Sequence, residues 1–100
     1  MRVTITKRHC EISDELKART DVVLEKLVRV ASRPQSAEVI LDDDHGAKMV
    51  EIVLVLPRGQ TKVAKAESND FRTSLDSAAA KVRNQLQKES RRPQHGVTGE

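Results

Sequence analysis

Residues 37–56, AEVILDDDHGAKMVEIVLVL, contain two apolar runs separated by a cluster of turn-forming residues. In the first run, Ala37, Val39 and Leu41 occupy every second position, which is the period of a β-strand with one buried face. Residues 42–46 favour a tight turn, and the run 48–56 is apolar enough for a strand with neighbours on both edges. The stretch therefore predicts a β-hairpin inside a larger sheet.

Further elements flank this hairpin on both sides. Residues 2–6 alternate like a half-buried strand, and residues 61–68 are predicted as a fourth strand. Apolar residues at helical spacing predict helices after Ser13 and after residues 68–70, whose side chains can cap a helix. The order β-α-β-β-β-α predicts an α+β fold: a four-stranded sheet, with its first two strands parallel and the other pairs antiparallel, carries both helices on one face.

The length and composition predict one domain. We assign residues 1–90 to it and residues 91–100 to a flexible tail, because the tail contains a proline, two glycines and almost nothing to bury. Cys10 is the only cysteine, so no intramolecular disulfide can form. The sequence has no signal-peptide pattern and no apolar run of membrane-spanning length, which favours a cytoplasmic protein without membrane association.

The charges are segregated along the chain. Lys and Arg number 18 against 15 Asp and Glu, but residues 34–60 contain two basic and five acidic residues, whereas 81–100 contain five basic and two acidic. A basic region favours phosphate-rich partners. Phe71 is the only aromatic residue, which argues against modules that stack bases on rings and favours readout of backbone and shape. The contact residues assigned from this charge pattern are Arg83, Arg91 and Arg92.

The sequence contains no motif that fits an active site or a metal site. Residues 9–11, His-Cys-Glu, have the side chains of thiol catalysis, but consecutive residues point in different directions, whereas a nucleophile needs a base facing it. Residues 42–45, Asp-Asp-Asp-His, lack the spacing and the distal glutamate of a calcium loop. The sequence also lacks a nucleophile elbow and a phosphate-binding glycine loop. We therefore expect no enzyme activity, no metal or other cofactor and no small-molecule substrate.

Several segments together resemble one known family. They are residues 1–9 (MRVTITKRH), 11–17 (EISDELK), 39–41 (VIL), the acidic turn, 64–68 (AKAES), 70–71 (DF), 75–76 (LD) and matching positions between Lys81 and Lys88. By the order and spacing of these segments, the sequence over about residues 1–92 is similar to the ribosome hibernation-promoting factors. This family is also called ribosome-associated translation inhibitors or sigma-54 modulation proteins.

The resemblance implies a fold similar to double-stranded-RNA-binding domains and a function in translation. It implies a translation inhibitor that binds the small ribosomal subunit and its ribosomal RNA in the channel used by mRNA and tRNA, and that acts by exclusion. It further implies the short form of the family, without the C-terminal dimerisation domain of long members. The contact residues that it implies are Arg8, Lys26, Arg29, Lys81 and Lys88.

A second hypothesis keeps the fold and changes the partner. The chain would then be a protein-interaction module that does not bind ribosomes and that uses the exposed sheet face or an unpaired strand edge. The scarcity of aromatic residues favours this alternative, as does Asp70-Phe71-Arg72, where the family usually has Asp-Met-Tyr. The two hypotheses differ in whether ribosomal RNA is bound, and neither specifies an oligomeric state.

Overall fold

A four-stranded sheet carries two helices on one face in the computed structural model of the protein. The structure describes residues 1–31 and 33–91, with residues 89–91 described as helix backbone only. The strands lie in the order β1-β2-β3-β4, with β1 and β2 parallel and the other pairs antiparallel, so the predicted element order and strand pairing are confirmed. The elements are β1 (Arg2–Arg8), α1 (Asp14–Val30), β2 (Ser36–Asp44), β3 (Ala47–Val55), a 3-10 turn (Pro57–Gly59), β4 (Thr61–Ser68) and α2 (Phe71–Arg91).

One row of side chains crosses the whole sheet beneath the helices. Val39 of β2 lies opposite Ile52 of β3, and the row continues to Ile5 of β1 and Ala64 of β4. Val39 and Ile52 are fully buried, because alternate residues of each strand point to the helix side. The small side chain of Ala64 lets α2 pack close to β4.

The central strand β3 is apolar on both faces. Val50, Ile52 and Leu54 are fully buried under the helices, whereas Val53 and Val55 are half-buried on the open face. As predicted, β3 has a neighbour on each edge, since it pairs with both β2 and β4. Burial nevertheless alternates along the strand, because only one sheet face is covered by helices.

The turn between β2 and β3 is shorter than the sequence predicts. Asp42 to Asp44 belong to β2, and only His45 and Gly46 connect the strands. Both connecting residues have positive φ, 54° and 91°, which is the backbone of a two-residue hairpin turn that matches the twist of the strands. Asp43 fixes this turn: its carboxylate accepts hydrogen bonds from the Lys48 ammonium and the Gly46 N–H, and these bonds hold its pKa below the usual value.

The N-terminus of α2 is anchored to the sheet by a buried hydroxyl. Ser74 is fully buried, and its Oγ donates to the Lys48 carbonyl oxygen of β3 at 2.6 Å and lies 2.7 Å from the Ser68 Oγ of β4. Asp70 caps the helix, since its carboxylate accepts hydrogen bonds from the Thr73 N–H at 3.0 Å and hydroxyl at 2.8 Å. The start of α2 is therefore fixed against two strands at once.

Helix α2 continues as helix backbone to Arg91, so the first residue of the predicted tail belongs to the helix. The rest of the predicted tail, residues 92–100, lies outside the described residues.

We expect Gly46→Ala to lower the free energy of unfolding by about 1 kcal/mol, because a residue with a Cβ disfavours a left-handed backbone. Apart from Gly46 and its two chain neighbours, no atom of the described residues lies within 4 Å of the added Cβ, so the cost is conformational rather than steric. Urea denaturation measures the change. His45→Asn is the matched control and should maintain or raise stability, since Asn tolerates positive φ. Equal stability of Gly46→Ala and the wild type would contradict the assigned turn.

Ser74→Ala should lower the free energy of unfolding by about 1–3 kcal/mol, because the Lys48 carbonyl loses its buried donor. Ser77→Ala on the exposed face of the same helix is the control and should change stability by less than about 0.5 kcal/mol. Thermal and urea denaturation of the three proteins test this. Similar small losses for both variants would show that the buried hydroxyl contributes little.

Acid should destabilise the protein partly through Asp70. The hydrogen bonds from Thr73 hold the pKa of Asp70 below 3.8 in the folded state, so the unfolded chain binds the proton more readily. This contribution to stability is complete above the unfolded pKa and is lost as pH falls through the folded pKa. Asp70→Asn should therefore flatten the decline of stability with pH in acid. Asp43→Asn should remove a separate part of the loss of stability in acid. If both variants keep the wild-type dependence of stability on pH, these two carboxylates do not cause the acid destabilisation.

Candidate nucleic-acid interface

Helix α1 has an apolar inner face and a flank that carries cations. Ser13 caps it by accepting a hydrogen bond from the Leu16 N–H at 3.1 Å, as the sequence predicts. Val23, Leu24 and Leu27 bury the inner face against the sheet. Residues seven apart lie on nearly the same side of a helix, so the cations at 19 and 26 share one flank of α1.

The strand topology makes the two helices parallel to each other. α1 returns antiparallel to β1, and α2 returns antiparallel to β4, while β1 and β4 run in the same direction. The helices therefore begin at one end of the sheet and end at the other. Between them lies an open groove with a volume of about 730 Å³.

Four of the five described charged residues that line the groove are cations, and they lie beside the apolar side chains of Val23, Leu27 and Val30. Arg19, Lys26 and Arg29 line it from α1, and Arg83 lines it from α2. Lys26, Arg29 and Arg83 are exposed, and Ala79 and Ala80 leave room between the helices because their side chains are short. The remaining polar lining residues are Asp76, Asn84 and Gln87.

An ion pair spans the groove near the N-terminal ends of the helices. Arg19 Nη2 lies 3.1 Å and its Nε 3.3 Å from Asp76 Oδ1. The two side chains are 34% and 42% exposed, so water weakens their attraction. The pair joins α1 to α2 and neutralises Arg19. Among the described residues, the one ion-pair contact of Arg29 is a long one of 4.0 Å to Glu25, with both side chains largely exposed, and its charge remains available to a ligand.

Only part of the predicted contact set comes together in this groove. Lys26, Arg29 and Arg83 line it. Lys81 lies on the opposite flank of α2, where its Nζ donates to the Lys65 carbonyl oxygen of β4 at 2.8 Å. Lys88 is exposed seven residues further along α2 and therefore lies on the same flank as Lys81.

The other predicted contact residues are Arg8, Arg91 and Arg92, and the structure describes the side chain of Arg8 only. Arg8 is the exposed last residue of β1, in register with Asp42, at the end of the sheet where α1 begins. Arg91 is the last residue of α2, and nothing of its side chain is described. Arg92 lies outside the described residues.

Two charged residues of the groove are absent from the predicted set. Arg19 precedes Lys26 by seven residues, a spacing that places both on one helix flank, so periodicity alone could have found it. Asp76 precedes Arg83 by seven residues in the same way. The contact between Arg19 and Asp76 depends on how the helices pack, and sequence spacing within one helix carries no information about that.

The residues with possible catalytic or metal chemistry have structural contacts. His9 Nδ1 lies 3.2 Å from Asp42 Oδ1, and the Cys10 thiol donates to the Leu41 carbonyl oxygen at 3.5 Å. Within residues 1–31 and 33–91, no three His, Cys, Asp or Glu side chains are grouped to hold a metal ion. No helix in the described part of the chain is long and apolar enough to span a membrane.

This fold is that of the ribosomal subunit interface proteins. One such protein, from Coxiella burnetii, has a solved structure that matches with a TM-score of 0.76 at 28% identity, covering 90% of this chain and 98% of that chain. The N-terminal domain of Protein Y from Thermus thermophilus has the same fold, with a TM-score of 0.75 at 23% identity over 88% of this chain and 98% of that chain.

Residues 3–94 match the family described as sigma 54 modulation protein / S30EA ribosomal protein, and the chain belongs to this family. A ribosome hibernation promoting factor from Pseudomonas putida is 34% identical over 102 residues, which cover 99% of this chain and 96% of that protein. The family resemblance identified from the sequence is confirmed.

Proposed function

We propose that the protein is a ribosome hibernation factor that binds ribosomal RNA of the small subunit through the groove between α1 and α2. The observation that carries this proposal is the set of exposed cations Lys26, Arg29 and Arg83 around one open groove. Two guanidinium groups and an ammonium group suit phosphate oxygens, which accept several charge-assisted hydrogen bonds. Relatives named as ribosome hibernation and subunit interface proteins support the ribosome as the partner.

The mode of recognition follows from the side chains that line the groove. No Phe, Tyr, Trp or His is among the described residues that line the groove, so the groove offers no aromatic ring on which a base could stack. Asn84 and Gln87 add amide groups that can bond to phosphate or ribose oxygens. The groove is therefore suited to the shape and backbone of structured RNA rather than to a base sequence.

The proposed mechanism is exclusion from the channel used by mRNA and tRNA. A bound domain of this size occupies space that translating ligands need, and its release restores the ribosome without any chemical step. Such a factor acts in the cytoplasm, where ribosomes translate. The remaining residues of the predicted contact set are proposed as further RNA contacts: Arg8, Lys81, Lys88, Arg91 and Arg92.

The triple substitution Lys26→Glu, Arg29→Glu and Arg83→Glu should lower affinity for small subunits by about 100-fold at moderate salt. It should also reduce the magnitude of the slope of log affinity against log salt by about 2 to 3. Binding releases about one counterion fewer for each phosphate contact that is lost. Co-sedimentation with purified small subunits at several salt concentrations measures both quantities. Circular dichroism establishes whether the variant is folded, as expected for substitutions at exposed positions.

The matched control reverses three exposed cations outside the groove, Lys17, Arg58 and Lys65, and so changes the net charge equally. It should retain most of the affinity. Equal losses in both triple variants would mean that net charge alone drives binding and would contradict the groove as the site. Absence of ribosome binding by the wild type, together with capture of a discrete protein partner, would select the protein-interaction alternative.

A further inference from the structure

The two edge strands of the sheet, β1 and β4, differ in whether side chains bond to their outer backbone groups. Along β4, Lys81 and Gln85 of α2 donate to the carbonyl oxygens of Lys65 and Val63, so α2 side chains cover that edge. Along β1, no described side chain bonds to the outer backbone groups. Unpaired edges can pair with another strand, and proteins commonly block them.

The hydrogen-bonding direction of β1 identifies the free groups. The Arg2 N–H bonds to the Gln35 carbonyl oxygen on the β2 side. Backbone groups of alternate residues in a strand point to opposite edges, so Val3, Ile5 and Lys7 direct their N–H and C=O groups outward. Their side chains lie on the helix side of the sheet, in register with Ala37, Val39 and Leu41 respectively.

A shallow apolar hollow lies beside this edge, between β1 and α1. Met1, Val3, Leu24 and Val28 line it together with the exposed acidic residues Asp21 and Glu25, and its volume is about 310 Å³. Met1 and Val3 are 59% and 47% exposed, respectively. The edge therefore suits an extended segment that brings an apolar side chain and, two residues further on, a cation.

The strand β1 is itself such a segment. It alternates Val3, Ile5 and Lys7 on one face and contains no acidic residue. We propose that two copies of the protein pair through β1 in an antiparallel arrangement about a two-fold axis at Thr4. Val3 then lies opposite the partner's Ile5, and Met1 lies opposite the partner's Lys7.

Charge and hydrogen bonding favour this register. Val3 and Ile5 of each copy exchange four backbone hydrogen bonds with the same residues of the other. The partner's Lys7 reaches the carboxylates of Asp21 and Glu25. To do so, the lysine leaves the exposed ion pair that it forms with Glu11 of its own chain, in which Lys7 Nζ lies 3.2 Å from Glu11 Oε1. Arg2 faces the partner's Thr6, whereas a shift of two residues would bring Arg2 against the partner's Arg8 and cost repulsion.

The resulting assembly is an eight-stranded sheet with all four helices on one face. A two-fold axis perpendicular to the sheet maps that face onto itself, so both cationic grooves face the same way. The interface is one strand pair and one hollow, smaller than a standard protein interface, so we expect a dissociation constant of about 10–100 μM. The proposal does not depend on ribosome binding.

Disulfide trapping tests the register. In a Cys10→Ser background, Thr4→Cys places two thiols opposite each other across the axis, at a Cα separation of about 4.5 Å that a disulfide can bridge. Mild oxidation with diamide should convert most of this variant to a covalent dimer. Val63→Cys in the same background is the control, since Val63 is 44% exposed on the other edge strand, and it should cross-link at least about tenfold more slowly. Equal rates would overturn the proposal.

Analytical ultracentrifugation of the unmodified chain tests the energetics. Val3→Asp and Lys7→Glu should each weaken the dimer by about tenfold or more, whereas Val63→Asp should not. Adding Asp21→Lys and Glu25→Lys to Lys7→Glu should restore pairing, which a merely unfolded variant cannot do. A wild-type chain that stays monomeric up to about 1 mM would overturn the proposal, as would a dimer that Val3→Asp leaves intact.

Discussion

In the β2–β3 hairpin, the two-residue turn at His45 and Gly46 sets Val39 opposite Ile52, and the remaining packing depends on that register. A slip of one residue would move Glu38 or Glu51 toward the core and Val39 or Ile52 toward water. The hydrogen bond from the Gly46 N–H to the Asp43 carboxylate stabilises the turn and, with it, the register of β2 against β3. β1 and β4 then add to a hairpin whose helix-side face is already defined.

The groove is a consequence of topology rather than of any single contact. One parallel crossover and one antiparallel meander bring α1 and α2 side by side in the same direction. Each helix buries one apolar stripe, so the flanks that face each other above the sheet are available for polar residues. On α1, the flank toward α2 contains Arg19 and Lys26, while the flank toward β1 contains Asp21 and Glu25. One helix therefore presents a basic surface on one side and an acidic one on the other.

The sequence pattern predicted the elements, the Ser13 cap and a cap within residues 68–70, because these depend on residues within one segment. It did not predict that the hairpin turn contains two residues only, since carboxylates at 43 and 44 favour turns but also tolerate the end of a strand. The predicted contact set combined Lys81, implied by the family resemblance, with Arg83, assigned from the charge pattern, although they face opposite flanks of α2. Which flank meets α1 and which meets β4 depends on long-range packing.

Asp76 illustrates how this packing and the proposed RNA binding constrain each other. Its carboxylate neutralises one cation of the groove, which weakens the attraction of the groove for phosphates. The same carboxylate accepts hydrogen bonds from Arg19 and so connects α2 to α1. Because both side chains are partly exposed, the pair contributes about 0–1 kcal/mol to stability, too little to explain it as a stabilising device alone. The pair bridges α1 and α2 near their N-terminal ends. Lys26, Arg29 and Arg83 lie further along the groove, where none of the described acidic residues lines it, so the charge available to a phosphate is concentrated there.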